Sequence, residues 1–236
     1  MSNFYRIGPK LGADQGVRGK IAAAAAKLAS PLVRKSDPGT FTITFAAWVA
    51  CSLALTAQSA RIPAWSDAHY ERFTPQAFTH FAPAARVLDR NAVDHNLLDA
   101  AVFYATNAAR VGHGLAPLRF ARALHESAYE HSCDMTAGNF FAHENPKNAA
   151  KRTPWQRMAA KGVSGGNRGE NIAARFVQNA TYLSCATQIV KQWMDSPGHR
   201  ANILNGKFRY LGCGVHACGC PQFHLFATQN FASAVP

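Results

Sequence analysis

The order of helix-like and strand-like segments after Val93 is the feature that most limits the fold of this chain. Apolar residues recur at a helical period over three long stretches, residues 93–111, 121–137 and 182–194. A shorter helix is predicted over residues 154–161, and strands are predicted over residues 170–176, 210–215 and 223–228. This pattern predicts one α+β domain of about 145 residues, a normal size for a single domain. We expect a small antiparallel sheet with helices on both of its faces.

The first two long helices also carry residues that commonly begin and end helices. Asp94 is placed to accept a hydrogen bond from a free backbone N–H of the first helical turn. Gly112 and Gly114 end that helix. Gly138 and Asn139 end the second one, because both residue types tolerate left-handed backbone angles.

Residues 1–60 have the composition of a targeting segment. The first 35 residues hold seven basic residues and one acidic residue, and an apolar run follows over residues 41–57. A basic region, an apolar region and small residues are the parts of a secretory signal peptide. A run of about 17 apolar residues also allows an uncleaved membrane anchor, and a transit peptide is a third interpretation. We therefore expect the protein to be exported to the periplasm, the cell surface or the medium.

Residues 61–92 are expected to form a linker or irregular arm before a domain that covers residues 93–236. They contain Pro63, Pro75 and Pro83 and several aromatic residues, among them Trp65. Because aromatic residues are scarce in disordered segments, we expect these side chains to pack on the domain.

The chain is strongly basic, with a formal net charge of +12. Beyond residue 60 it still holds 18 basic and 11 acidic residues, which favours anionic partners such as cell-wall polymers or lipids. Its basic residues, among them Arg110 and Arg157, are scattered and lack interleaved aromatic residues. Nucleic acid is therefore a disfavoured partner, and these charges are expected to be solvated at the surface.

Cysteine usage fits an exported protein, since cysteines pair in oxidising compartments. Five cysteines follow residue 60, namely Cys133, Cys185, Cys213, Cys218 and Cys220. The last three are close enough in sequence to bridge across a hairpin, and the first two could join two packed helices. Because five is an odd number, at most two bridges can form within one chain. A zinc site of the last three with His216 or His224 matches no strong zinc pattern and is a minor alternative.

Two histidines and a glutamate lie in distinctive local sequences in three separate segments. His143 ends the run at residues 140–143, Glu170 begins a predicted strand, and His199 follows a Pro-Gly pair. Neutral imidazole suits zinc or copper, and a carboxylate can complete such a site or hold a ring nitrogen. The same three side chains could also position and deprotonate a water molecule. They predict one polar cleft.

Structural interpretations of single residues stay open beside this cleft. His143 or His199 could cap a helix, and the Glu170 carboxylate could accept hydrogen bonds from backbone amides. His125 begins a stretch similar to a zinc-protease helix, but the second histidine of that motif is missing. His131 is interpreted as a structural residue.

The motifs, taken in order, resemble the CAP superfamily of cysteine-rich secretory, antigen 5 and pathogenesis-related type 1 proteins, in particular its bacterial SCP-domain branch. The matching segments are residues 107–110, 117–118, 124–135, 140–143, 169–172, 193–200 and 229–231. The resemblance covers about residues 95–232 and implies a three-layer α-β-α sandwich. It also implies a cavity lined by two histidines and two acidic residues that bind a divalent metal in several members. By this resemblance His143, His199 and Glu170 are candidate ligands of Zn²⁺ or another divalent cation.

The chain departs from the family pattern at the second acidic residue. In many members that residue lies three positions after the helix tryptophan, where this chain has Ser196. Asp195 lies one position earlier and faces a different direction, because helical neighbours diverge by about 100°. Asp195 is therefore only a substitute candidate for the fourth ligand.

Two functions follow from the resemblance and from the absence of a recognisable nucleophile. The first is an exported, monomeric module that binds a cell-wall polymer, a lipid or a protein partner through the cleft, without catalysing a reaction. The alternative is a metal-assisted hydrolase, for example a peptidase, in which Glu170 serves as base or ligand. Fold alone does not choose between them.

Overall fold

The computed structural model describes residues 65–218 and 224–236, so the predicted leader and apolar run lie outside the described part. Residues 61–236 form one compact unit, and the described part of this unit has its own apolar core. Among the described residues, no helix is long and apolar enough to cross a membrane.

The described residues form six α-helices and four strands. The helices are α1 (Pro75–Phe78), α2 (His95–Gly112), α3 (Arg122–Gly138), α4 (Pro154–Ala159), α5 (Tyr182–Met194) and α6 (Pro197–Ile203). The strands are β1 (Arg119–Phe120), β2 (Arg168–Phe176), β3 (Tyr210–Ala217) and β4 (His224–Ala232). The three long helices and three long strands agree with the sequence pattern to within a few residues.

Side-chain caps set the helix boundaries that the sequence indicates. The Asp94 carboxylate accepts a hydrogen bond from Leu97 N at 3.1 Å and begins α2. Thr181 and Ser184 form a reciprocal capping box that begins α5. Asn139 ends α3 with a φ of 51°, in the left-handed region that asparagine tolerates.

The sheet has the strand order β1-β3-β4-β2. β4 is antiparallel to both of its neighbours, as predicted, but β1 runs parallel to β3 and makes the sheet mixed. The sequence did not predict β1 because two residues carry no alternation of apolar and polar side chains. Helices α3 and α4 cover one face, and α2, α5 and α6 cover the other, each with its own apolar cluster. The three-layer α-β-α architecture is therefore confirmed.

Helix α3 lies directly on strand β3 because two glycines remove the side chains between them. A Cβ atom at Gly212 would overlap the backbone at Leu124 and His125, and one at Gly214 would overlap the backbone at Tyr129. Glycine in a strand commonly marks such a close backbone approach. The two glycines therefore set the spacing between α3 and the sheet.

The outer edge of β3 extends past the short β1, and side chains take the place of a neighbouring strand there. His95 Nδ1 donates to Val215 O at 2.9 Å, and Asp99 Oδ1 accepts from Val215 N at 2.6 Å. His125 Nδ1 donates to Cys213 O at 2.7 Å. His125 thus has a structural role, consistent with its incomplete zinc-protease motif.

The opposite edge of the sheet, on β2, is protected in the same way. Trp193 Nε1 donates to Ile172 O at 2.9 Å, and Asn202 Nδ2 donates to Glu170 O at 3.3 Å. An exposed strand edge invites pairing with another chain. Both edges therefore carry side-chain partners that disfavour such pairing.

The described part of the predicted linker packs against α2. Trp65, Tyr70 and Phe78 are buried, and the Trp65 ring lies 5.5 Å from that of Phe78 and 6.0 Å from that of Tyr104 on α2. An isolated bridge between Val87 and Thr181 ties the end of this segment to the start of α5. Residues 65–90 are thus an integral arm of the domain core.

Cys133, Cys185 and Cys213 are free thiols. The proposed bridge between Cys133 and Cys185 is wrong because α3 and α5 lie on opposite faces of the sheet. A hairpin bridge from Cys213 is also wrong, since this thiol is buried in the core. Burial raises the pKa of Cys133 to about 11 and that of Cys185 to about 12, so neither is a reactive thiolate at neutral pH. Cys220 lies outside the described residues.

Candidate functional site

The fold brings His143, Glu170 and His199 together from three different elements. His143 lies on the loop after α3, Glu170 on the buried part of β2, and His199 on the short helix α6. His143 Nδ1 lies 2.9 Å from Glu170 Oε1. The His143 side chain is 48% exposed, whereas that of Glu170 is only 2% exposed. The buried Glu170 carboxylate therefore contacts an imidazole that is half exposed to solvent.

Arg157 hydrogen-bonds to the second oxygen of the Glu170 carboxylate. Arg157 Nη2 donates to Glu170 Oε2 at 2.7 Å, and both side chains are 2% exposed. The same nitrogen donates to His143 O at 3.0 Å, and Nη1 donates to Arg152 O at 3.0 Å. One guanidinium thus ties α4, β2 and the His143 loop together. The prediction that Arg157 is a solvated surface charge is wrong.

This ion pair determines which nitrogen of His143 faces the solvent. The carboxylate beside Arg157 is an acceptor, so the Nδ1 atom of His143 must donate to it. The neutral ring then carries its lone pair on Nε2, in the half-exposed part of the side chain. A carboxylate that holds Nδ1 in this way is the usual partner of a metal-binding or proton-accepting histidine.

His131 and Asn145 stabilise the loop that carries His143. His131 Nε2 donates to Ala142 O at 3.0 Å, and the ring is completely buried. Burial lowers the pKa of His131, which keeps the ring neutral. Asn145 Nδ2 donates to Asp134 Oδ2 at 2.9 Å and ties the loop back to α3. The structural interpretation of His131 agrees with these contacts.

His199 lies on α6, near His143. Burial lowers the pKa of His199, and electrostatic repulsion from the nearby His143 lowers it further. Asn171 Nδ2 donates to His199 O at 3.1 Å and joins α6 to β2. An imidazole in its neutral form can act as a nitrogen ligand.

The fourth position of the family pattern contributes no acid to the cleft. Asp195 caps the end of α5 and is exposed, and its Oδ2 atom lies 2.7 Å from Lys191 Nζ. Ser196 begins α6 without a side-chain cap bond. Within residues 65–218 and 224–236, no group of three or more His, Cys, Asp and Glu side chains could hold a metal ion. Among the described residues, the Glu170 carboxylate instead contacts His143 Nδ1 and Arg157 Nη2.

The last motif, at residues 229–231, is structural. Gln229 Oε1 accepts from Asn171 Nδ2 at 3.2 Å, and Gln229 Nε2 hydrogen-bonds to Thr106 Oγ1 on α2. Asn230 contacts Ser127 Oγ on α3 at 3.2 Å. All of these side chains are buried. The motif therefore connects the two helical layers through the sheet, below the cleft.

Comparison with known proteins assigns the family. The model described as "CAP: Cysteine-rich secretory protein family" matches residues 103–231, which is more than half of the chain. The chain belongs to the CAP family. The relatives that it matches include two proteins of Bacillus subtilis (strain 168). "Uncharacterized protein YkwD" is 38% identical over 114 residues, which are 48% of this chain and 40% of that protein.

The second relative, "Uncharacterized membrane protein YlbC", is 34% identical over 126 residues, or 53% of this CAP chain and 32% of that protein. The chain thus spans less than half the length of either relative. Similar solved structures include an extracellular SCP-domain protein from Bacillus anthracis, with a TM-score of 0.48 and 32% identity over 59% of this chain and 41% of that one. An outer surface protein from Borrelia burgdorferi has a TM-score of 0.48 and 16% identity over 63% of this chain and 97% of that one.

Sequence reasoning missed one important residue of this CAP domain, Arg157, although a signal for it exists. Pro154, Arg157 and Met158 share one buried face of α4. Their spacing of three and four residues is that of a helix face, so an arginine there lies on the apolar side. A buried arginine requires an anionic partner, and Glu170 provides it.

Proposed function

We propose that this chain is an exported CAP-domain binding module whose cleft, around His143 and His199, holds a divalent cation and recognises a partner molecule. The observation that carries this proposal is the occupation of both Glu170 oxygens, one by His143 and one by Arg157. Because a side chain contacts each oxygen and the carboxylate is only 2% exposed, Glu170 is poorly placed to take a proton from a water molecule in the cleft. Glu170 therefore supports binding better than it supports hydrolysis.

The donor set supports a weak site for a cation such as Zn²⁺. His143 Nε2 and His199 would supply two nitrogen ligands, and Glu170 would hold His143 from behind. Bound zinc would provide Lewis acidity and open coordination positions, which an oxygen atom of the partner could fill. The role proposed for Glu170 is thus orientation of His143, and Asp195 takes no part.

A zinc titration by calorimetry tests this assignment. We expect His143→Ala and His199→Ala each to abolish saturable binding. Glu170→Gln should weaken it by about 10-fold to 100-fold, as partners behind the ligands commonly do. Asp195→Ala is the matched control and should bind zinc as the unaltered chain does. Equal affinity in all four variants would overturn the proposal.

The second candidate function is a metal-assisted hydrolase. The pairing of His143 with Glu170 supports it, because a histidine oriented by a carboxylate can activate water. Peptide and ester hydrolysis should then require zinc and be lost in His143→Ala but persist in Asp195→Ala. A preparation that binds zinc but hydrolyses neither substrate class would eliminate this candidate.

Export is the remaining part of the proposed function. It is supported by the basic and apolar segments of residues 1–60. Cell fractionation, with mass spectrometry of the mature N-terminus, tests it. An N-terminus near residue 60 in the soluble extracytoplasmic fraction indicates a cleaved signal, and an intact N-terminus in the membrane fraction indicates an anchor. Recovery of the intact chain from the cytoplasm alone would contradict export.

A further inference from the structure

A patch of exposed basic side chains lies at the end of the sheet where β3 begins. We name it the basic pole, and its members are His113, Arg119, Arg200, Lys207 and Arg209, all exposed. They come from the end of α2, from β1, from α6 and from the loop before β3. Arg119 N donates to Arg209 O at 2.9 Å, so β1 and the residue just before β3 are adjacent.

The segments that build the basic pole contain no acidic residue. Neither residues 100–125 nor residues 196–236 include a single Asp or Glu. The carboxylates that contact this region come from the N-terminal arm. Asp67 is paired with Arg122 at 2.6 Å, and Glu71 lines the same cavity as Arg119. The segments that form the basic pole therefore contain no carboxylate that could neutralise its positive charges.

Buried contacts make the pole rigid. Arg110, predicted to be a solvated charge, is instead buried, and its Nη1 atom donates to Ile203 O at 2.6 Å and Asn205 O at 3.1 Å. Burial lowers the pKa of Arg110, and the nearby Arg209 lowers it further. Arg200 Nη2 donates to His113 Nε2 at 3.1 Å. The charges of the basic pole are therefore carried by backbone segments that buried hydrogen bonds hold in place.

An exposed apolar side chain lies at the same end of α2. Val111 is 51% exposed on the last turn of α2, two residues before His113. A soluble polyanion gains little from such a residue. A lipid bilayer accepts apolar side chains at its interface while anionic headgroups attract the basic ones. The combination favours a membrane surface.

From this arrangement we infer that the basic pole docks the domain onto an anionic lipid bilayer, through a surface separate from the histidine cleft. Each basic residue near such a surface contributes about 1 kcal/mol, or roughly a fivefold change in partitioning. Four cationic side chains on one face therefore attract the domain to the headgroups even without the apolar run of residues 41–57. The attraction decays within a Debye length of about 8 Å at physiological salt, so contact requires this face to be turned toward the membrane.

Sedimentation with vesicles tests the inference on residues 61–236, which enclose their own core. The vesicles contain either phosphatidylcholine alone or phosphatidylcholine with about 30% phosphatidylglycerol, a fraction that makes their surface strongly negative. We expect binding only to the anionic vesicles, with a loss of more than about tenfold in Arg119→Glu/Lys207→Glu. Raising the salt to about 0.5 M should release the domain, because charges are then screened over a few ångströms.

The matched control is Lys147→Glu/Arg175→Glu, which changes the net charge equally. Arg175 pairs with Leu225 in register, near the far end of the sheet, and Lys147 lies against the end of α3 at Gly138. This control should bind anionic vesicles like the unaltered domain, and thermal melting checks that both double variants fold. An equal loss in the control would show that net charge alone is responsible and would overturn the docking surface.

Two additional variants distinguish a membrane surface from a soluble polyanion and from the metal site. Val111→Asp should weaken vesicle binding, whereas binding to soluble polyphosphate should remain weak in every variant. Tight polyphosphate binding with no effect of Val111→Asp would assign the pole to a soluble polyanion and refute the membrane surface. His143→Ala/His199→Ala should leave vesicle binding unchanged, so failure of the metal proposal and failure of the docking proposal are distinguishable.

Discussion

Substitution of Arg157 provides the most direct test of the cleft, because it leaves the buried Glu170 carboxylate without its guanidinium partner. In Arg157→Met, the buried Glu170 carboxylate, only 2% exposed, loses its guanidinium partner and keeps its contact with His143. Removing one partner of a buried ion pair commonly costs about 3–5 kcal/mol. For a unit of this size, each kcal/mol lowers the melting temperature by about 2–4 °C. We therefore expect a decrease of roughly 6–20 °C.

A double-mutant cycle, followed by urea denaturation and circular dichroism, separates the ion pair from simple loss of packing. Arg157→Met/Glu170→Gln removes both charges and should be less destabilised than the sum of the two single variants, by about 1–3 kcal/mol. Lys191→Met, which removes an exposed ion pair with Asp195, is the control and should change stability by less than about 1 kcal/mol. A change of less than about 1 kcal/mol in Arg157→Met as well would refute a buried, stabilising role for this pair.

Three further predictions concern packing and pH. Gly214→Ala forces β3 away from α3 and should cost at least about 1–3 kcal/mol in urea denaturation, whereas Gly206→Ala, with open space around its Cβ position, should cost less than about 1 kcal/mol. Burial raises the pKa of Asp99, so the folded state binds more protons than the unfolded state above about pH 4. Stability should therefore fall as pH rises from there, and Asp99→Asn should reduce this slope; an unchanged slope contradicts the assignment. The pKa of His131 is lowered, so its contribution should be lost as pH falls below about 6.5, and His131→Gln should remove that loss.

Helix boundaries were predictable because their causes are local. The Asp94 cap, the left-handed Asn139 and the Thr181 cap act within four residues of sequence, so the types and order of these residues determine the ends of α2, α3 and α5. The three long strands were predictable for the same reason. The short β1 was not, since its pairing with β3 depends on a partner about 90 residues away.

For the proposed histidine cleft, the sequence supplied candidate residues but not their arrangement. His143, Glu170 and His199 were recognised from their surrounding motifs. Their roles were not, because each depends on a contact between distant segments. The predicted bridge between Cys133 and Cys185 failed for a related reason, since sequence spacing does not show that a sheet separates these two cysteines.

The sequence by itself determined the family, the α+β class and the long helices and strands, and it proposed three side chains for one cleft. These follow from local chemistry and from the order of motifs along the chain. Only the tertiary structure decided that Arg157 is buried against Glu170, that His143 presents Nε2 to the solvent, and that Asp195 faces away toward Lys191. It also gathered Arg119 and Lys207 at one end of the sheet. The physical reason is that burial and charge pairing depend on which segments meet in space, and sequence distance does not report this.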